Sequence, residues 1–348
     1  MTGGIRPEST DRNEIILDVR DLRVHFPTPD GLVKAVDGIS FQIRRGETIG
    51  VVGESGSGKS VSFLTVMGLI SSREAHLEGE IIFKGRDLLD LPAEETRHMR
   101  GKEMGMVFQD PMTSLHPMYR IGTQIAEAVL THEQTSKKAA QELAVEMLRR
   151  VGISNPAESA RRYPHEFSGG MRQRAMIAMA LVLNPDLLIA DEPTTALDVT
   201  VQAQILDLLD RLKADFNAAV AIITHDLGVV AEHCDRIQVM YAGKIVEMGR
   251  SQVIYYRSRH PYTWGLLQSI PRLDAEEVHR LRPIEGLPPS LIQVPPGCAF
   301  HPRCPYVMDV CRTEVPVLGP AHSLNASACH LPAEEKERIF SEILAERT

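Results

Sequence analysis

Short apolar runs separated by glycine- and proline-containing turns recur through the first three-quarters of the chain. They predict strands at residues 15–26, 35–43, 79–83, 104–108, 187–190 and 219–224, and a hairpin at 237–241 and 244–247. Apolar positions spaced by three and four residues predict helices at 60–70, within 121–151, at 169–183 and at 201–212. Because the run at 187–190 is wholly apolar, it fits a central parallel strand. The pattern predicts an α/β domain.

The amino-acid composition changes after Pro261, where prolines, glycines and cysteines become frequent. We therefore expect a loose N-terminal tail at residues 1–14, a main domain at 15–267 and a small, cysteine-rich extension at 268–348. A chain of 348 residues is long enough for this division.

Composition, net charge and the length of the apolar runs exclude some classes of function. The chain is 43% hydrophobic and 24% charged, as ordinary globular proteins are, and its 46 acidic against 38 basic residues give a net charge of -8. An acidic balance argues against bulk nucleic-acid binding. The longest apolar run, around residues 176–183, is too short to cross a bilayer, and the N-terminus lacks the apolar core of a signal peptide. We expect a cytoplasmic protein that reaches a membrane only through a protein partner.

A glycine-rich stretch follows the apolar run 48–52 and opens the helix predicted after it. Glycines let backbone N–H groups approach and surround a phosphate, and a helix N-terminus favours an anion. The lysine would add a point charge at the outer phosphates, and the final serine hydroxyl could ligate Mg²⁺. The pattern predicts a nucleoside triphosphate site made by Gly53, Glu54, Ser55, Gly56, Ser57, Gly58, Lys59 and Ser60.

Two further motifs carry complementary chemistry. Asp191 and Glu192 directly follow the strand at 187–190. Asp191 could anchor a Mg²⁺ ion held by Ser60, and Glu192 could polarise a water for in-line attack on a γ-phosphate. The Ser-Gly-Gly sequence at 168–170 caps another helix, which offers a second anion-binding helix start.

These motifs, in their order along residues 15–267, resemble the ATP-binding cassette (ABC) ATPases. The resemblance implies an ABC-type nucleotide-binding domain with a RecA-like parallel-sheet core, an antiparallel β subdomain and a helical subdomain at about 112–183. It implies an ATPase in which Glu192 is the general base, His225 donates to the γ-phosphate, and Gln109 contacts the metal or the attacking water. The Mg²⁺ ligands implied in this way are Ser60, Gln109 and Asp191.

The resemblance also implies a dimer of cassettes with two ATP molecules at the interface. The loop of Ser168, Gly169 and Gly170 would grip the γ-phosphate held by the opposite subunit, and Asp198 would lie in a loop that crosses between subunits. Phe26 is the candidate aromatic for stacking on adenine, against the alternative of ordinary core packing.

Residues 259–263 (RHPYT) and 295–305 (PPGCAFHPRCP) resemble the C-terminal extension of dipeptide and oligopeptide importer ATPases, especially the first of their two ATPase subunits. This implies a paralogous second ATPase, two membrane permeases and an external peptide-binding protein as partners, at the cytoplasmic face of the cell membrane. Two alternatives stay open. One is the same architecture importing nickel, opines, glutathione or haem. The other is a non-transport ABC ATPase, for which no coiled-coil insertion or basic arm is present.

Four cysteines cluster near the C-terminus, whereas Cys234 stands alone and is expected to be a small buried side chain. The cluster could hold a [4Fe–4S] centre or a tetrahedral zinc, or could pack without metal. Zinc sites favour close C-x2-C pairs, which are missing, and relatives of this subgroup resemble iron–sulfur proteins in this tail. The favoured expectation is a [4Fe–4S] cluster on Cys298, Cys304, Cys311 and Cys329.

Overall fold

The computed structural model describes residues 14–195, 197–270, 283–320, 323 and 325–347. Its strands are β1 (Ile15–Thr28), β2 (Gly31–Arg44), β3 (Thr48–Val52), β4 (His76–Phe83), β5 (Arg86–Asp87), β6 (Met104–Val107), β7 (Leu187–Asp191), β8 (Ala219–Thr224), β9 (Arg236–Tyr241), β10 (Lys244–Arg250) and β11 (Asn325–Ser327). Its helices are α1 (Lys59–Val66), α2 (Ala93–Met99), α3 (Pro111–Ser114), α4 (Ile121–His132), α5 (Lys137–Arg150), α6 (Pro156–Ser159), α7 (Gly169–Leu181), α8 (Val199–Phe216), α9 (Leu227–His233), α10 (Ser251–Arg257), α11 (Pro261–Gln268) and α12 (Ala333–Arg347). Residues 1–13 of the predicted tail lie outside the described part.

The larger sheet carries the predicted α/β core, with strand order β11-β10-β9-β3-β8-β7-β6. The strands from β6 to β9 along this order run parallel, while β10 and β11 are antiparallel additions at one edge. Every residue of β3, β7 and β8 is buried, as expected for strands covered on both faces. Because these strands are parallel, their carboxyl ends meet at one edge of the sheet.

A second, antiparallel sheet has the order β2-β1-β4-β5. Residues 27–31 form the tip of a long β1–β2 ribbon, where Thr28 pairs with Gly31 across a tight turn. The ribbon packs on the first helix of the core, and the rings of Phe41 and Phe63 lie 5.6 Å apart. The predicted antiparallel β subdomain is confirmed.

The chain between β6 and β7 contains helices α3 to α7, which form the helical subdomain. The predicted three- and four-residue periodicity is confirmed by α4 and α5, whose buried faces include Ile125, Ala144 and Leu148. Ser136 begins α5 by accepting a hydrogen bond from the Ala139 N–H at 3.1 Å.

The ends of several helices differ from those predicted, and caps explain the differences. Helix α1 stops at Val66 rather than near residue 70, because Gly68 adopts a left-handed backbone with φ +62°. Helix α8 begins before the predicted residue 201, since the Asp198 carboxylate accepts from the Val201 N–H at 2.9 Å. It continues to Asn217, which ends it with φ +49°.

The C-terminal residues join the core of the main domain. Strand β11 pairs with β10, so that Ala326 lies opposite Met248 in the larger sheet. Helix α12 packs beneath α11, with the Trp264 and Phe340 rings stacked at 6.1 Å between centroids. The described part of the predicted extension thus shares the sheet and hydrophobic core of the ATPase domain. Cys234 is buried as expected.

None of the helices in the described ranges has the length and apolar character that crossing a membrane requires.

Glu247 is a fully buried carboxylate in β10, and its titration should make the free energy of unfolding depend on pH. It accepts hydrogen bonds from the Ser258 hydroxyl at 2.8 Å and from the Arg259 N–H. Burial raises its pKa from 4.5 to about 7, so the native state holds this proton more tightly than the unfolded state does. Its contribution to stability is complete below pH 4.5 and is lost as the pH rises through about 7.

We therefore expect the free energy of unfolding of the natural protein to fall relative to that of Glu247→Gln across this pH range, by about 1–3 kcal/mol. Urea unfolding of both proteins at a series of pH values measures the difference. Glu342→Gln, on an exposed helix face, is the matched control and should leave the pH profile unchanged. Parallel pH profiles for Glu247→Gln and the natural protein would contradict the prediction.

Candidate active site

The glycine-rich loop lies between β3 and α1 at the carboxyl edge of the larger sheet. Gly58 begins the helix with φ +100°, and a side chain there would bring its Cβ within 2.2 Å of the Ala35 carbonyl oxygen. Only glycine fits this conformation and this spacing. The Lys59 Nζ folds back over the loop and donates to the carbonyl oxygens of Gly53 at 2.7 Å and Glu54 at 2.9 Å.

The Lys59 ammonium is a buried cation, 5% exposed. Burial lowers its pKa, and the negative charges of Glu192, Asp191 and Glu54 oppose that shift without cancelling it. A buried cation with incomplete counter-charge attracts an anion strongly. The loop is therefore built to receive a polyanion such as a triphosphate.

Ser60 and Asp191 join two distant motifs. The Ser60 Oγ donates to the Asp191 Oδ1 at 2.9 Å, where β7 ends beside the start of α1. Burial raises the pKa of Asp191, and the neighbouring charge of Glu192 raises it further, although the bond from Ser60 opposes both. A hydroxyl and a carboxylate in contact are the hard oxygen donors that Mg²⁺ takes. These two residues fit the implied metal.

Glu192 has the most constrained backbone of the site residues. Its φ is +46°, a left-handed conformation that costs free energy for a residue with a side chain, and its N–H donates to the Ile223 carbonyl at 2.8 Å. The Gln109 Nε2 donates to Glu192 Oε2 at 2.9 Å, and the Thr195 hydroxyl donates to the same oxygen at 2.7 Å. The His225 Nδ1 lies 3.3 Å from the other oxygen.

This network controls the charge of Glu192. Burial would raise its pKa, but the hydrogen bonds from Thr195 and His225 and the charge of Lys59 hold the pKa below its ordinary value. Glu192 is thus an ionised acceptor next to Lys59 and the Ser60–Asp191 pair. The arrangement can accept a proton from a water.

The loop of Ser168, Gly169 and Gly170 lies outside this network. The Ser168 hydroxyl caps α7 by accepting from the Met171 N–H at 3.3 Å, and Ser168 and Gly169 are solvent-exposed. Within the described ranges, no hydrogen bond joins this loop or Asp198 to the glycine-rich loop. The site on one chain therefore consists of the phosphate loop, the carboxylates, Gln109 and His225.

Phe26 lies near the tip of the β1–β2 ribbon, where it pairs with Val33. It is partly buried and packs against the core of the antiparallel sheet. Its role as an adenine platform stays a prediction.

Three side chains that contact the site are not predicted by the sequence. The first is Thr195, whose hydroxyl donates to Glu192. The Tyr262 hydroxyl accepts from the Glu54 N–H at 2.8 Å, and the Arg303 guanidinium pairs with the Glu54 carboxylate. A hydroxyl three residues after the base could have signalled the first. The others span more than 200 residues, and one sequence holds no signal for them.

The four C-terminal cysteines line one small cavity, of about 10 Å³, with His260. All four are free thiols. Burial raises the pKa of Cys298 to about 11 and that of Cys304 to about 12, so both are neutral at physiological pH.

In the described residues, no group of three or more histidine, cysteine, aspartate or glutamate side chains has the geometry to hold a metal ion. The cavity has room for about one water. The geometry of the described chain therefore does not support the expectation of an iron–sulfur cluster.

Two family models match the chain in separate stretches. Residues 36–195 match the model described as "ABC transporter", which spans the glycine-rich loop through the two carboxylates. Residues 246–311 match the model described as "Oligopeptide/dipeptide transporter, C-terminal region". The second match covers three of the four clustered cysteines.

Curated relatives match over nearly the whole chain. The oligopeptide transport ATP-binding protein OppD of Salmonella typhimurium is 50% identical over 321 residues, 92% of this chain and 95% of the relative. The dipeptide transport ATP-binding protein DppD of Bacillus subtilis is 51% identical over 316 residues, 90% of this chain and 94% of the relative.

Solved structures agree with these matches. The ATP-binding cassette MJ0796, in a dimeric post-hydrolysis state bound to ADP and Pi, has a TM-score of 0.61 and 26% identity, and covers 68% of this chain and 98% of its own. With its glycine-rich loop, its paired carboxylates and these relatives, the chain belongs to the ABC transporter ATPases, in the group of the oligopeptide and dipeptide transport ATP-binding proteins, whose cofactors are ATP and Mg²⁺.

Proposed function

We propose that this chain is the ATP-hydrolysing, energy-coupling subunit of a membrane importer for di- or oligopeptides. The main observation behind the proposal is that Lys59, the Ser60–Asp191 pair and Glu192 lie together at one edge of the larger sheet. The names of the relatives support a peptide cargo. The proposal includes a boundary in the sequence at residue 267, after which the chain forms an extension that packs on the ATPase domain. It also includes a helical subdomain at about residues 112–183.

The residues have the following proposed roles. The backbone of residues 53–58 and the Lys59 ammonium bind the phosphates of ATP. Ser60, Asp191 and Gln109 hold the Mg²⁺ ion, which neutralises charge on the phosphates when it is bound. The ionised Glu192 accepts a proton from the attacking water, and Gln109, already bonded to Glu192, orients that water.

Completion of the site requires a second cassette. The exposed loop of Ser168, Gly169 and Gly170 binds the γ-phosphate held by the partner, and Asp198 lies at the interface. His225 donates to the γ-phosphate held on its own chain. Closure on ATP and opening after hydrolysis form a two-state element that drives the permease. A solved relative that is dimeric supports this arrangement.

The proposed partners are a paralogous second ATPase, two integral-membrane permeases and, indirectly, an external peptide-binding protein. The chain would sit at the cytoplasmic face of the cell membrane through the permeases. The test is isolation of the complex from membranes, followed by ATP-dependent uptake into vesicles. Uptake of a labelled tripeptide supports the proposal. Uptake of nickel, an opine, glutathione or haem instead would give the cargo of the alternative reading. Recovery of a permease-free ATPase would favour a non-transport role.

We also keep a [4Fe–4S] cluster on Cys298, Cys304, Cys311 and Cys329 as a proposal for the tail. The convergence of all four on one cavity supports it, although no ready ligand geometry exists among the described residues. Anaerobic purification followed by iron and acid-labile sulfide analysis tests it. About four of each per chain is the expected result, and stoichiometric zinc or no metal overturns the assignment.

A further inference from the structure

An ion pair between a buried arginine and a half-buried glutamate joins the C-terminal residues to the glycine-rich loop. Arg303 ends a 3-10 turn (His301–Arg303), and its guanidinium grips the Glu54 carboxylate with two parallel bonds, Nη1 to Oε2 at 2.6 Å and Nη2 to Oε1 at 3.0 Å. The Arg303 side chain is 5% exposed. A bidentate arginine–carboxylate pair fixes orientation as well as distance.

Arg303 is itself held by several other groups. Its Nε donates to the Glu285 carbonyl at 3.0 Å and its Nη2 to the Ile284 carbonyl at 3.3 Å. The guanidinium also lies over the Tyr241 ring, 5.9 Å from its centroid. Burial alone would lower the pKa of Arg303, but the bonds to Glu54 raise it. The cation is therefore permanent, and its position is determined by the tail and by β9.

Glu54 transmits that position to the lysine of the loop. Its backbone N–H donates to the Tyr262 hydroxyl at 2.8 Å, and its carbonyl accepts from the Lys59 Nζ at 2.9 Å. The Tyr262 ring lies 4.6 Å from that of Tyr241, and the Arg303 guanidinium lies over the Tyr241 ring. The two side chains that hold Glu54, Tyr262 and Arg303, therefore pack against the same tyrosine. A shift of Glu54 would move a carbonyl that orients Lys59.

A second segment of the tail lies along the same loop. Pro288, Pro289 and Leu291 line a small cavity with Ser55 and Gly56. The tail therefore lies close to the glycine turn itself as well as to Glu54.

From these contacts we propose that Arg303 is a positioning residue for ATP binding, which acts through Glu54 to hold the glycine-rich loop and Lys59 in their binding geometry. The inference rests on the proposed function, because it requires residues 53–60 to be the phosphate site. Loss of Arg303 leaves the half-buried Glu54 carboxylate without its partner and frees Glu54 to move, and small misplacements of binding groups are costly.

The test measures ATP affinity of the full chain with a fluorescent ATP analogue, and KM and kcat of the membrane complex. We expect Arg303→Gln to weaken binding and raise KM by about 10- to 10²-fold, with a smaller effect on kcat. Arg303→Lys keeps the positive charge but cannot form the two parallel bonds of a guanidinium. Its affinity for ATP should therefore lie between those of Arg303→Gln and the natural protein. Arg338→Gln is the matched control, since Arg338 pairs with Glu342 on an exposed face of the same tail.

A double-mutant cycle separates positioning from general stability. If Arg303 acts through Glu54, the Glu54→Gln and Arg303→Gln double variant should bind ATP no more weakly than the weaker single variant. A lower melting temperature for folded Arg303→Gln, with ATP affinity and KM unchanged, overturns the inference and leaves a purely structural contact. Additive losses in the cycle also overturn it.

The variant Lys59→Ala separates a failure of the proposed phosphate site from a failure of the positioning role of Arg303. If Lys59→Ala weakens ATP binding and Arg303→Gln leaves it intact, only the present inference fails. If Lys59→Ala leaves binding intact, the phosphate site is elsewhere, and the inference fails with the proposed function.

Discussion

Replacing Glu192 with glutamine is expected to lower the rate of ATP turnover by about 10²- to 10⁴-fold while ATP binding is retained. Glutamine has nearly the same shape, and its side-chain oxygen can still accept the hydrogen bonds that Gln109 and Thr195 donate to the carboxylate. It cannot accept a proton from water at neutral pH. Bound ATP should therefore persist, and a closed dimer of cassettes should accumulate.

Single-turnover hydrolysis and nucleotide binding by the same preparation measure the two effects separately. Glu342→Gln is the control, because that carboxylate is exposed on α12 and pairs with the exposed Arg338. A Glu192→Gln complex that hydrolyses ATP at the natural rate would show that Glu192 is not the base.

Replacing Lys59 with alanine is expected to weaken ATP binding on the order of 10²-fold, the equivalent of about 3 kcal/mol. The ammonium is buried, and its pKa is lowered by that burial, so phosphate oxygens are much better partners for it than the two loop carbonyls it now contacts. Removal of a partly uncompensated cation should cost the ATP-free protein little stability.

Titration with labelled ATP, together with the melting temperature of the ATP-free protein, checks this expectation. Lys138→Ala, an exposed lysine in the helical subdomain, is the matched control. A Lys59→Ala protein that melts as the natural one does and binds ATP with equal affinity would contradict the proposed phosphate site.

The sequence was most informative where chemistry is local. The glycines of the phosphate loop, the apolar strand before Asp191 and the serine cap at Ser168 each depend on residues a few positions apart. Local patterns of this kind predict strands, turns and helix starts directly. The parallel sheet then brings Ser60 and Asp191 together, because Asp191 ends β7 and Ser60 lies just beyond the loop that follows β3.

The sequence was least informative where distant segments meet. The two-residue turn at the tip of the β1–β2 ribbon, the short helix α2 and the pairing of β11 with β10 were not predicted. Each depends on tertiary packing that overrides weak local propensity. The Arg303–Glu54 pair joins residues 249 apart, and no periodicity in a single chain signals such a contact.

The last strand has a practical consequence for work with shortened versions of the protein. Asn325, Ala326 and Ser327 are hydrogen-bonded along the outer side of β10. A fragment trimmed to residue 311, where the second family match ends, would leave the outer backbone edge of β10 unpaired, and such an edge templates aggregation. Fragments intended for crystallisation or for raising antibodies should therefore retain residues 325–327, even where the tail itself is of no interest.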